Sequence, residues 1–541
     1  MNSMLRVNLL REAKRLITIM VTACCSASFG QVGLGPASVT TWHNDNLRSG
    51  ANMKEHLLTP SRVSTQTFGK VASFPVDGEI YAQPLVTPVR IGGQTHNLLI
   101  VCTEKNNVYA YDADSVTPKL YWEVNLGPPF YSGAIGTGDI TPYIGILSTP
   151  VIDTTSNAIY VVAKTDENNV QIYRIHELSL ATGHEMLGSP RVVAGSVPGA
   201  GEGGNGQTVT FNSTYHLNRT ALLLVNHVLY VGFASHGDQQ PYHGWIFAYQ
   251  TNTLNLLSVY NTTPDGGLGG IWGSGAGMCA TPAGDIVYVS GNGDFSHDNS
   301  MREVGNAIVR ATPNTTGLEN MTWFEPYNGD WQNSEDLDFG SAGTILLPQY
   351  NLAISTGKTG NFYVTDLTNM GGYNANEDSC LQSFPGLNSG VWGGLAYYQD
   401  SSLGTLIFSW AISDVLKEWT IQNGLMVTTP ISQSAMAMGG YPGGDLEISG
   451  LANVPGTAIV WATGTLNASG YKNVVEGVLR AFDPRDLSHE LYDSSMNDAR
   501  DGGWSYAKFC PPTVANGKVY VPTFSDEVVV FGIRASGVGG D

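Results

Sequence analysis

The chain has 541 residues, a formal net charge of −20, only 13% charged residues and 65 glycines. That acidity repels phosphate backbones and anionic lipid, which excludes nucleic acid and membrane surfaces as partners. No run of 18 apolar residues exists, so no transmembrane helix is expected, and the glycine-rich, charge-poor composition points to a turn-rich β protein.

The first 30 residues read as a signal peptide: Arg6, Arg11, Lys14 and Arg15 precede the apolar run Leu16–Ala23. Cleavage after Ser28-Phe-Gly30 would release a secreted chain, extracellular or periplasmic. Alternatively, Val21-Thr-Ala-Cys24 resembles the lipobox of bacterial lipoproteins and would leave a lipid anchor on Cys24. Residues 31–69 read as an extended N-terminal segment, 70–534 as one repeat body and 535–541 as a flexible tail.

From there a short phrase recurs. An apolar segment, often with proline, leads through a turn to a β-branched strand with tyrosine, a polar turn and a second strand near an acidic residue. Copies run Pro84-Leu-Val86, Leu98–Val101, Val108–Asp112; then Pro150–Asp153, Ala158–Val162, Gln171–Tyr173; and last Pro512–Val521 into Glu527–Phe531. Repetition at a few tens of residues, built of strands alone, marks a radial β-repeat. Inner segments begin near Gln83, Leu147, Ala221, Gly275, Ala342, Gly393, Asp445 and Phe509. They predict an all-β fold, an eight-bladed β-propeller of four-stranded antiparallel blades; seven blades is the alternative, because the unit around Gly393 is irregular. Leu120–Val124 and Lys417–Ile421 read as outer strands. The last unit lacks an outer strand, and Lys70–Val76 upstream looks like a strand without a blade, so the two termini are expected to close the ring.

Spacing of roughly 60 residues per unit exceeds the common blade of about 40–50, so the excess sits in loops. Residues 127–145, 195–218, 327–341 and 493–507 read as inter-blade connections, and 235–245, 291–306 and 463–475 as loops inside blades. In a propeller both classes share one face, and a funnel over the axis is the expected site for a small molecule, glycan or protein.

Three sets of residues on that face carry chemistry. In one short loop, His236, Asp238 and His243 are candidate proton-transfer groups, with Tyr242 and Trp245 as rings that can stack a sugar or a flat cofactor. Asp330, Glu335, Asp336 and Asp338 offer oxygen ligands for calcium, though not at EF-hand spacing. Arg500 and Lys508 are cations for a carboxylate, with an ion pair between blades as the other reading of Arg500-Asp501. Trp42 and Trp272 read as blade packing, and Asn44, Asp45, Asn46 and Arg48 as turn-formers of the N-terminal segment. Cys102, Cys279, Cys380 and Cys510 form no CxxC pair, which leaves disulfides and buried thiols both open.

The endings Ala-Tyr-Asp112, Ala181-Thr-Gly183 and Ala481-Phe-Asp483 resemble the repeat of pyrroloquinoline-quinone (PQQ) dehydrogenases and their cofactor-free relatives. Over nearly its whole mature length the chain is similar to a group of exported bacterial PQQ-like propeller proteins, mostly without an assigned function. The stretches Trp42–Asn52, Ser235–Trp245, Gly269–Gly275 and Ala507–Thr513 carry that likeness. The resemblance implies the quinoprotein alcohol dehydrogenase-like fold and, in its enzymatic branch, PQQ held on calcium near the axis. Many such enzymes stack the quinone on a disulfide of adjacent cysteines, but the one adjacent pair here is Cys24-Cys25 in the export segment, and the calcium ligands have no residue-by-residue counterparts. Three readings stand: a ligand- or protein-binding scaffold, which needs only the rigid blades and elaborated loops; a PQQ- and calcium-dependent dehydrogenase of alcohols or sugars; and a polysaccharide lyase or hydrolase using His236 or His243 as base.

Overall fold

The computed structural model describes residues 37–534, apart from 299, 315, 316 and 453. The expected export segment 1–30, with Cys24, and the expected tail 535–541 lie outside the described residues. Eight antiparallel sheets follow one another around an axis, so the propeller has eight blades and not seven. The first blade is Leu85–Ile91, Gln94–Cys102, Asn107–Asp112 and Leu120–Asn125. The unit after Gly393 is a full blade: Ala396–Asp400, Gly404–Ser409 and Val415–Gln422, with Ser432–Ala437 outside. Here one sequence expectation fails: Lys417–Ile421 belongs to the third strand, and Trp419 is fully buried between blades instead of lying on the rim.

Both termini build the eighth blade. Thr513–Ala515, Lys518–Pro522 and Glu527–Ile533 come from the C-terminal end, and Phe68–Pro75 pairs antiparallel with Glu527–Ile533 from Phe68↔Ile533 to Pro75↔Glu527. The blades are apolar on both faces because each is packed on two neighbours. In the last blade Val529 and Phe531 face the seventh blade while Val528 and Val530 face the first. Period-two alternation therefore yields an unbroken Val-Val-Val-Phe run.

The axis is filled by residues 37–52. Carbonyls and side chains of this segment meet the inner strands of all eight blades in ring order. Val39 bridges Val86 of the first blade, and Thr40 O accepts from Ile152 N of the second. Asn46 Nδ2 donates to Leu224 O of the third, and Asn46 O accepts from Ala280 N of the fourth. Then Leu47, Ser49 and Gly50 carbonyls take the amides of Leu346, Tyr397 and Ile448, and Asn52 Nδ2 reaches Val514 O of the eighth. The innermost strand edges, which would otherwise present unpaired amides, are thus satisfied by one short circuit of chain. Arg48, buried completely, pins the circuit: its guanidinium donates to Leu222 O (3.1 Å), Met278 O (2.9 Å), Thr41 Oγ1 (2.9 Å) and Trp42 O (3.0 Å). Trp42 stacks on His43 at 3.5 Å, within this axial segment and not between blades.

The four described cysteines are free thiols. Glu325, just past the outer strand Gly317–Phe324, is buried with both carboxylate oxygens unpartnered, and burial, aided by the charge of Asp330, pushes its pKa up to about 9. Between the unfolded value near 4.5 and 9, the folded chain holds a proton that the unfolded chain has released, so stability falls as pH rises, by up to about 1.4 kcal/mol per pH unit. Glu325→Gln is expected to match the parent at pH 4 and to exceed it progressively up to pH 9 in urea midpoint. Parallel curves for the two proteins would refute the assignment.

Candidate functional site

On one face the axis opens into a cavity of about 490 Å³. Its wall is assembled from residues just ahead of the inner strands: Asp139, Arg219, Trp272, Asp338, Trp392, Tyr441 and Lys508 come from seven successive connections between blades. Asp238, Lys358 and Tyr471 enter from loops between second and third strands.

One side is cationic. The Arg219 guanidinium lies 4.6 Å from the Phe509 ring and 5.7 Å from the Trp272 ring; its buried Nε has no partner, and it makes no ion pair among the described residues. Lys508 donates to the carbonyls of Tyr471 (2.7 Å) and Asp139. Burial lowers its pKa to about 8, with Arg219 adding repulsion and Asp139 opposing.

The other side is acidic but largely neutralised. Lys358 Nζ is 2.7 Å from both Asp336 and Asp338, and Asp338 also accepts from Asn292 N at 2.8 Å. Burial disfavours the Lys358 charge, yet the two carboxylates outweigh it and its pKa rises. Asp238 accepts from Tyr242 Oη at 2.9 Å, and its pKa is raised by burial and by Asp338.

Of the residues singled out in the sequence, Asp238, Asp336, Asp338 and Lys508 meet at this cavity. The others lie elsewhere. His236 points into the body, with Nε2 2.6 Å from Lys164 Nζ, and burial drives both pKa values down. His243 is buried, held by Thr263 (3.0 Å) and Glu202 O (2.8 Å). Tyr242 reaches the cavity only through Asp238 and packs edge-on against Trp272 at 5.9 Å. Trp245 is core, its indole N–H bonded to His216 Nε2 at 2.9 Å. Arg500 pairs with Asp501 and the carbonyls of Thr65 and Phe68, so it secures the closing strand. Asp330 and Glu335 are exposed on and beside the short helix Gly329–Ser334, away from Asp336 and Asp338's partner Lys358. Trp272, expected as packing, lines the cavity. Sequence reasoning missed Arg219, Lys358, Trp392 and Tyr441. The signal was positional: Arg219, Trp392 and Tyr441 each stand a few residues before an inner segment, Arg219 directly after the long connection 195–218 and the other two in short connections.

A PQQ–calcium pair does not fit these residues. Arg219 and Lys508 suit a quinone's acidic groups. Calcium, however, needs six or more oxygens, while Asp336 and Asp338 are taken by Lys358 and Asp238 is held by Tyr242. No three His, Cys, Asp or Glu side chains gather as a metal site among the described residues.

No family model and no curated protein matches the chain. Among solved structures it is similar to quinohemoprotein alcohol dehydrogenases of Pseudomonas putida (12% identity, 93% of this chain and 82% of that one, TM-score 0.55) and Comamonas testosteroni (13%, 93% and 82%, 0.54). At such identity the likeness is one of fold: this chain is an eight-bladed β-propeller, and it shares that fold with these enzymes.

Proposed function

We propose that the protein is a binding propeller that works outside the cytoplasm and holds a small molecule in its axial cavity. The observation that carries this reading is Arg219: a guanidinium at the wall of a cavity of about 490 Å³, set over aromatic rings and making no ion pair among the described residues. An unpaired cation in a concave, ring-lined site recruits an anionic ligand. The histidines that would serve a lyase or hydrolase are directed into the body, which favours binding over turnover. The basic-then-apolar N-terminal stretch supports export, and the mass of the protein recovered outside the cytoplasm, with or without acyl label on Cys24, tests it.

For the cavity, a panel of small organic anions is expected to contain members that raise the melting temperature and quench tryptophan fluorescence. Saturating PQQ with calcium is expected to give no quinone absorbance band and no dye-linked alcohol oxidation. A band with oxidation would overturn the binding reading in favour of the dehydrogenase.

A further inference from the structure

We infer that the ligand of the axial cavity is a sugar acid: a polyhydroxylated six-membered ring bearing one carboxylate, such as a hexuronate. The inference rests on the binding reading above and names its chemistry. Three features, placed side by side, define the guest. Arg219 makes no ion pair among the described residues, and its planar fork matches a carboxylate. Trp392, half-buried and tilted against Tyr441 at 4.9 Å, offers an apolar surface for the C–H face of a saturated ring.

The third feature is the wall beyond Trp272. Arg219 contacts one part of that ring at 5.7 Å, Tyr242 packs on it at 5.9 Å, and Tyr242 holds Asp238 at 2.9 Å. The carboxylate-binding group lies over this indole, and Asp238, which accepts a hydroxyl hydrogen bond, is joined to it through Tyr242. The same cavity is lined by Ser274, by Ser341, whose hydroxyl donates to Val391 O at 2.7 Å, and by the Lys358–Asp338 pair, a donor and an acceptor together. Such a wall is matched by several hydroxyls, each both donor and acceptor. A flat aromatic acid would satisfy Arg219 and Trp392 yet leave that polar wall facing an apolar edge, and sites built to bond hydroxyls reject analogues that lack them. A neutral sugar would satisfy the wall and leave Arg219 unpaired.

The full mature chain should be titrated with D-glucuronate, D-glucose and quinoline-2-carboxylate, read by tryptophan fluorescence and calorimetry. Glucuronate is expected to bind at least about ten-fold more tightly than either of the others. Arg219→Gln should reduce glucuronate to the level of glucose, and Arg219→Lys, which keeps the charge without the fork, should fall between. Asp238→Asn should weaken both sugars by about ten-fold and leave quinoline-2-carboxylate unchanged. Equal or tighter binding of the aromatic acid, with Asp238→Asn silent, would overturn the sugar-acid assignment and leave the cavity reading in place. Absence of any binding by all three probes and the wider anion panel, in protein of unchanged melting temperature, would remove both.

Discussion

Arg48→Ala is expected to lower the unfolding free energy by about 5 kcal/mol, because a buried polar group stripped of its partner costs about 1–3 kcal/mol and this change strips several. The Arg48 side chain is fully buried and donates, at 3.1 Å or less, to three backbone carbonyls and a hydroxyl. Two of those carbonyls, Leu222 O and Met278 O, belong to neighbouring blades, and Trp42 O belongs to the axial circuit itself. Alanine leaves all of these acceptors without a donor and empties the volume of the side chain. Burial has already pulled the guanidinium's pKa down to about 10, so it stays charged at neutral pH and the donors are all in place. Arg48→Lys keeps the charge but offers fewer, less directed donors, and is expected to cost about half as much. Urea or thermal unfolding at pH 7 measures both. A loss under 1 kcal/mol for the alanine variant would mean that the axial segment is not held as described.

The second large effect is at the seam. Phe68→Ala is expected to cost about 4 kcal/mol, in the range for a fully buried phenylalanine. Its ring lies 5.0 Å from Tyr492, 5.2 Å from Trp461 and 6.3 Å from Phe531, so it joins the seventh blade to the eighth at the point where the N-terminal strand docks. The cavity left behind cannot collapse without moving the closing strand. Proteolysis should therefore report the change as well as denaturation: cleavage between residues 37 and 75 is expected to accelerate relative to the parent. Unchanged cleavage with a lowered unfolding midpoint would place the damage in the core and not in the closure.

The blades were readable because each strand carries its own signature. Val519-Tyr-Val521 and Val528-Val-Val-Phe531 are apolar on both faces and bounded by turn residues, and no other arrangement buries so many of them at once. Lys417–Ile421 misled because a third strand with Lys417 and Glu418 looks polar enough for a rim, whereas Lys417 is buried against Asp414 at 2.8 Å. The cavity was half-legible. Asp238, Asp336, Asp338 and Lys508 sit in loops whose length and polarity drew attention, but Arg219 is a lone cation directly after the connection 195–218 and becomes informative only when Phe509, nearly 300 residues away, is seen beneath it. His236 and His243 were chosen for their chemistry, and which way a loop turns its imidazoles is decided by tertiary partners such as Lys164 and Glu202 that local sequence does not announce.

The axial segment also has a consequence for how such a protein can change over time. Repeat arrays ordinarily gain or lose units by duplication, since each repeat contacts only its neighbours. Here a stretch from Val39 to Asn52 meets the inner strands of all eight units, from the first blade round to the eighth. It works as a measuring tape cut to one circumference. A ninth unit would find no partner waiting for it, and a ring of seven would leave one group of the segment without its partner, so the number of blades is tied to fourteen residues of which only Ala51–Asn52 joins a blade, as a short parallel strand on the seventh.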